Sequence, residues 1–125
     1  MTHTLRRSHL LLTLASLIAG LAAGSSRTPL AAQGNVIEIA AERFSFQPSE
    51  VRIKAGVPVE IRLTSDDTDH GFRILDTDVN ARIPKRGKGH VTVTFQPPSA
   101  GRYTFECSHV CGAGHAFMRG TIVVE

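Results

Sequence analysis

The sequence contains no tryptophan, only two cysteines, and no apolar run long enough to cross a bilayer. Its longest such run, Leu10 to Ala23, has fourteen residues, whereas a spanning helix needs ~20. Preceded by Arg6 and Arg7, that run suits the core of an export signal, with cleavage after Ala23 or Ala32, or else an uncleaved anchor. The Arg6-Arg7 pair is compatible with a twin-arginine signal as well as with an ordinary positive leader. Residues 1–32 are therefore expected to be a signal peptide or N-terminal anchor and residues 33–125 one small domain, placed in the periplasm or otherwise outside the cytoplasm. An anchored form would sit on the outer face of the inner membrane, its membrane association made only through this segment. Excess charge is lacking too. Lys and Arg exceed Asp and Glu by three, but Arg6, Arg7 and Arg27 supply that excess, and from Gln33 onward eleven basic residues meet eleven acidic ones. A formally neutral domain has no electrostatic footprint for nucleic acid.

A sustained helical period is also missing from Gln33 onward. Short alternating stretches stand in its place: Val36–Ala40, Glu50–Lys54, Val57–Leu63, His90–Phe95, Arg102–Cys107 and Gly120–Val124, separated by turn signals such as Ala55-Gly56 and Pro97-Pro98-Ser99-Ala100-Gly101. Period-two alternation with regular turns predicts an antiparallel sandwich or barrel. The stretch Phe44–Pro48 alternates until proline interrupts it, and Ile74–Gly89 reads mostly as loop. Lys85-Arg86-Gly87-Lys88 reads as a solvated turn, or as a docking patch for an acidic partner.

What the chain does have is a concentration of metal-binding side chains in its last third. Cys107, His109, Cys111, His115 and Met118 fall within twelve residues, and these are soft or borderline donors suited to copper, zinc or iron rather than to magnesium or calcium. A structural zinc site takes four Cys or His and has no use for a thioether. Methionine argues instead for copper, whose electron-transfer sites combine His, Cys and a weak axial Met. A further imidazole has to come from elsewhere, and His70, in Asp67-Thr68-Asp69-His70, is the candidate. On cysteine count alone, an exported protein would form one disulfide; the joint spacing with His115, Met118 and His70 argues against it.

The motif Asp67-x-x-His70 followed by Cys107-x-x-x-Cys111-x-x-x-His115-x-x-Met118 resembles the dinuclear CuA domain of cytochrome c oxidase subunit II, shared with the electron-entry domain of nitrous oxide reductase. Met118-Arg119-Gly120-Thr121-Ile122-Val123-Val124 is similar to the closing strand of the short subunit II of B-type oxidases. The resemblance covers Val36 to Glu125 and implies a cupredoxin-like Greek-key β-sandwich, all-β, holding two copper ions. It further implies that the thiolates of Cys107 and Cys111 bridge the two ions, that His70 binds one and His115 the other, that Met118 is an axial ligand, and that the backbone carbonyl of His109 is the sixth donor, at a position where the family commonly has Glu. Asp67 is a candidate hydrogen-bond partner for the His70 region. The family's tryptophan-bearing electron-entry stretch has no counterpart here; Phe44, Phe46 or Phe72 are the apolar candidates for docking, and Asp66, Asp67 and Asp69 for steering a basic partner.

Three readings follow. In the first, the domain relays electrons from a c-type cytochrome or similar donor to a terminal oxidase or reductase, as a non-catalytic carrier or an oxidase subunit. The second keeps the fold but uses a single copper on His70, Cys111, His115 and Met118, with Cys107 spare. In the third, the protein delivers or stores copper for oxidase assembly.

Overall fold

A computed structural model describes residues 35–125; the expected signal or anchor, residues 1–32, lies outside the described residues. Among the described residues nine strands make two sheets. The first contains β1 (Asn35–Glu42), β2 (Ser45–Gln47), β4 (Val59–Ser65) and β7 (Val91–Phe95), in the order β2-β1-β4-β7. The second contains β3 (Glu50–Ile53), β5 (His70–Ile74), β6 (Asn80–Ile83), β8 (Gly101–Glu106) and β9 (Arg119–Val124), in the order β3-β9-β8-β5-β6. The chain crosses between sheets repeatedly, so neither sheet is a simple meander.

Alternation in sequence becomes alternation of faces, because successive strand residues point to opposite sides. Along β4, Val59, Ile61, Leu63 and Ser65 are buried while Glu60, Arg62 and Thr64 face water. β9 buries Gly120, Ile122 and Val124 in the same way. The inward faces meet in one core centred on Phe46, Phe72 and Phe105. Phe46 from the first sheet packs edge-on against both Phe72 and Phe105 of the second, with ring centroids 6.0 and 5.2 Å apart. These rings join the sheets in the same buried cluster as Cys107, Cys111 and Met118.

The expected sandwich is present, with two differences in detail. The sheets are mixed rather than antiparallel, because β1 runs parallel to β4 and β3 parallel to β9. Alternation reports which face is buried and carries no information on the direction of the neighbouring strand, so the sequence could not distinguish the two. A strand, β6, also occupies part of the stretch read as loop, pairing Ile83 with His70 and Asn80 with Arg73. Its signal is weak because only Ile83 of its four residues is buried. Lys85, Arg86 and Lys88 lie in an exposed turn, and His90 is exposed just ahead of β7.

Candidate metal centre

Strands β8 and β9 hold the two ends of the loop 107–118. Glu106 pairs with Arg119 across the ladder, and the next rung is closed by the Cys107 N–H donating to the Met118 carbonyl at 3.0 Å. Glu106 also accepts from the Arg73 guanidinium and forms an ion pair with Arg119. Within the loop, His115–Phe117 forms a single 3-10 turn that brings His115 and Met118 back toward the cysteines. Cys107, Cys111 and Met118 are buried, the last completely.

His70 arrives from the other side, as the first residue of β5, and is fully buried. The donor atoms of His70, Cys107 and Cys111 all lie within 4.8 Å of one another. The cysteines are free thiols with their sulfurs 3.7 Å apart, far beyond the S–S bond length of about 2.0 Å. Around this pair the remaining groups divide into two sets. His70 Nδ1 lies 4.0 Å from Cys107 Sγ, which is also 3.0 Å from the His109 carbonyl oxygen. His115 Nδ1 and Met118 Sδ lie 3.9 and 3.8 Å from Cys111 Sγ. All six groups singled out from the sequence therefore converge, in two halves joined through the sulfurs.

Electrostatics keep His70 pointing the right way. Asp67 lies 2.7 Å from its Nε2. Burial pushes the Asp67 carboxyl up, but the hydrogen bond from His70 and the backbone N–H groups of Thr68 and Arg43 outweigh it and hold the pKa at about 2. An ionised carboxylate only accepts, so Nε2 carries the donated proton, and Nδ1 is the ring nitrogen that faces the Cys107 sulfur. This is the arrangement by which an outer carboxylate sets the tautomer of a metal-binding imidazole. Cys111 is shifted the other way: burial, then its hydrogen bond with Cys107, pushes the thiol up to about 11. Without a cation the Cys111 sulfur is held as a thiol, and a metal ion that takes it as a thiolate has to displace its proton.

Several residues that shape the site gave little sequence signal as site residues. Gly71 follows His70, and its N–H points to Cys107 Sγ at 3.4 Å. A Cβ there would meet Ser108 Oγ at 2.3 Å and the His109 backbone nitrogen at 2.5 Å. Only a glycine lets β5 approach the loop this closely. On the opposite side the β1–β2 turn leans on the loop, with the Phe44 ring against Gly112 and Gly114; a Cβ on Gly114 would meet that ring at 2.3 Å. The His-Gly dipeptide in Asp67-Thr68-Asp69-His70-Gly71 and the Gly-Ala-Gly of the loop were the available hints.

Comparison with known proteins places these features in a wider setting. A family model described as a cupredoxin-like domain matches residues 11–124. Cytochrome c oxidase subunit 2 of Thermus thermophilus is 34% identical over 89 residues, covering 71% of this chain and 64% of that protein; the chain thus spans a little under two thirds of this curated relative. Among solved structures, a chain of a haem-copper terminal oxidase dimer superposes with a TM-score of 0.61 at 29% identity, covering 77% of this chain and 68% of that one. The periplasmic domain of subunit II of cytochrome oxidase from Bradyrhizobium japonicum superposes with a TM-score of 0.66 at 18% identity, over 73% of this chain and 83% of that one, a likeness of fold.

Proposed function

This chain belongs to the cupredoxin-like family, and from that premise we propose that it is an electron-transfer domain outside the cytoplasm with a dinuclear copper centre of the CuA type. The observation that carries the reading is the two-sided donor set: two sulfurs 3.7 Å apart, with an imidazole and a carbonyl beside Cys107 and an imidazole and a thioether beside Cys111. His70, Cys107, the His109 carbonyl, Cys111, His115 and Met118 are the proposed ligands. Their chemistry fits copper, since two thiols and a thioether are soft donors and the Nδ1 of His70 is left free by the bond its Nε2 makes with Asp67. Cys107 and Cys111 would hold the copper ions as thiolates, and a pair held there would supply one-electron chemistry shared over both metals, with little reorganisation on electron transfer.

The protein's own part is orientation and exclusion of water. Asp67 holds one imidazole, the β8–β9 ladder holds both ends of the loop, and burial of Cys107, Cys111, His70 and Met118 removes water that would otherwise reorganise around a changing charge. Rigid framing of this kind is what a low-reorganisation site requires. Two large apolar side chains of the loop, Val110 and Phe117, are 76% and 85% exposed. They are the proposed apolar contact surface in place of the missing tryptophan, and not the expected Phe46 and Phe72, which are fully buried in the core. The proposed donor is a c-type cytochrome or similar carrier and the proposed acceptor a terminal oxidase, with residues 1–32 as export signal or anchor and the domain beginning near Gln33.

Anaerobic reconstitution with copper tests this reading, followed by metal counting and electron-spin spectroscopy. One electron shared by two equivalent nuclei gives a seven-line hyperfine pattern, and a single copper gives four. One copper per chain with four lines would replace the dinuclear centre by a mononuclear blue site. Rapid exchange of copper with no electron transfer from reduced cytochrome on stopped-flow mixing would favour the delivery protein.

A further inference from the structure

We propose that Arg43, in the turn between β1 and β2, is a positioning residue that ties the two halves of the centre together. The inference rests on the metal-centre reading above. Arg43 is distant in sequence from everything it touches. Its Nε donates to the Cys111 carbonyl at 3.0 Å, across 68 residues, and its backbone N–H donates to Asp67 Oδ2 at 3.0 Å, across 24. The other oxygen of the same carboxylate holds His70. One residue thus grips the strand-borne histidine through Asp67 and the loop-borne cysteine through its own peptide group.

The choice of Cys111 as the held residue matters. Its sulfur contacts three other donors, at 3.7 Å to Cys107 Sγ, 3.9 Å to His115 Nδ1 and 3.8 Å to Met118 Sδ. Fixing the Cys111 backbone therefore fixes the point about which the second half is arranged. The segment from Cys111 to Gly114 lies in no strand or helix, so regular backbone pairing does not do this work. Arginine suits the task because its planar guanidinium offers a directed N–H, where lysine offers a rotating ammonium. The use made of this arginine is distinctive as well. Arg52, Arg62, Arg73, Arg82, Arg102 and Arg119 pair with carboxylates, whereas among the described residues the side chain of Arg43 bonds a peptide carbonyl. Next to it, the Phe44 ring covers Gly112 and Gly114, so the whole turn clips the loop from above.

The test compares the full chain with Arg43→Gln, Arg43→Lys and, as control, Arg62→Gln, whose parent side chain pairs with Glu38 on the first sheet. Arg43→Gln keeps the backbone bond to Asp67 and removes the side-chain bond to Cys111. Copper(I) affinity, read by competition with a chromogenic chelator, is expected to fall about 10- to 100-fold, as for loss of other groups that orient metal ligands. The thiolate-to-copper absorption bands are expected to shift, Arg43→Lys to recover part of both effects, and Arg62→Gln to behave as wild type. A metal-free readout accompanies these: amide hydrogen exchange in residues 108–114 is expected to quicken in Arg43→Gln while β4, β8 and β9 keep their protection. Wild-type affinity, bands and exchange in Arg43→Gln would overturn the inference, and so would exchange quickened throughout the sheets, which marks a general stability effect. Failure of the wild-type protein to bind copper would remove the metal-centre reading instead, leaving the exchange comparison to decide whether Arg43 holds the loop.

Discussion

Replacing Asp67 by Asn tests how the buried histidine is held. Asn keeps the shape and one acceptor oxygen but loses the charge that His70 Nε2 and the Arg43 N–H now share. A carboxyl held at about 2 against an ordinary 3.8 corresponds to roughly 2 kcal/mol of native-state preference for the ionised form. Its side chain is 31% exposed, and screening by water brings the expected cost to about 1–2 kcal/mol. The sign is set by the direction of the shift. Because the folded value lies below the unfolded one, the stabilisation is fully present above about pH 4 and is lost as pH falls toward 2. Urea unfolding of the metal-free wild type and Asp67→Asn should therefore show a gap of about 1–2 kcal/mol at pH 7, narrowing through the acid range as the native carboxyl itself becomes protonated. Equal stabilities at pH 7, or a gap of constant width down to pH 3, would refute the assignment. In the copper-loaded protein the same substitution should weaken binding about 10- to 100-fold, since the imidazole loses the partner that fixes its tautomer.

Gly71→Ala is expected to push Ser108 and His109 away from β5, because backbone atoms of both residues, and not the Ser108 hydroxyl alone, stand in the path of the new methyl; a loss of about 1–3 kcal/mol by thermal or urea unfolding, together with an altered copper spectrum, checks it. Cys107→Ser and Cys111→Ser should each abolish the dinuclear spin spectrum while the sandwich, read by far-ultraviolet circular dichroism, persists. Alkylation of Cys111 in the metal-free protein should keep accelerating as pH rises from 9 toward about 11, its raised pKa, rather than levelling off near 9; trapping at graded pH with mass spectrometry reads this out. The same shift predicts that metal-free stability declines over that alkaline range, because the folded state favours the protonated thiol and the unfolded chain does not.

Much of the donor cluster that the fold brings together is legible in the sequence, and the reason is local. Cys107, Cys111, His115 and Met118 lie on one loop, so their spacing is itself a geometric statement. Asp67 and His70 were readable for the same reason, being three residues apart. The strands were legible where one face is buried, as along β4, and poorly so at β6, where only Ile83 turns inward. Parallel pairing of β1 with β4 and of β3 with β9 was not legible, because burial pattern is blind to the direction of a neighbour.

Donor chemistry and the order of donors along the loop were properties of the amino-acid sequence, because they depend on residue type and on separations of a few residues. The tertiary structure alone decided which groups support them. Arg43 reaches Cys111 across 68 residues, and Gly71 matters only because β5 and the loop nearly touch. Such contacts arise when the two sheets close on each other, as for Arg43, or when β5 pairs beside β8, as for Gly71, long-range outcomes that a one-dimensional pattern does not encode.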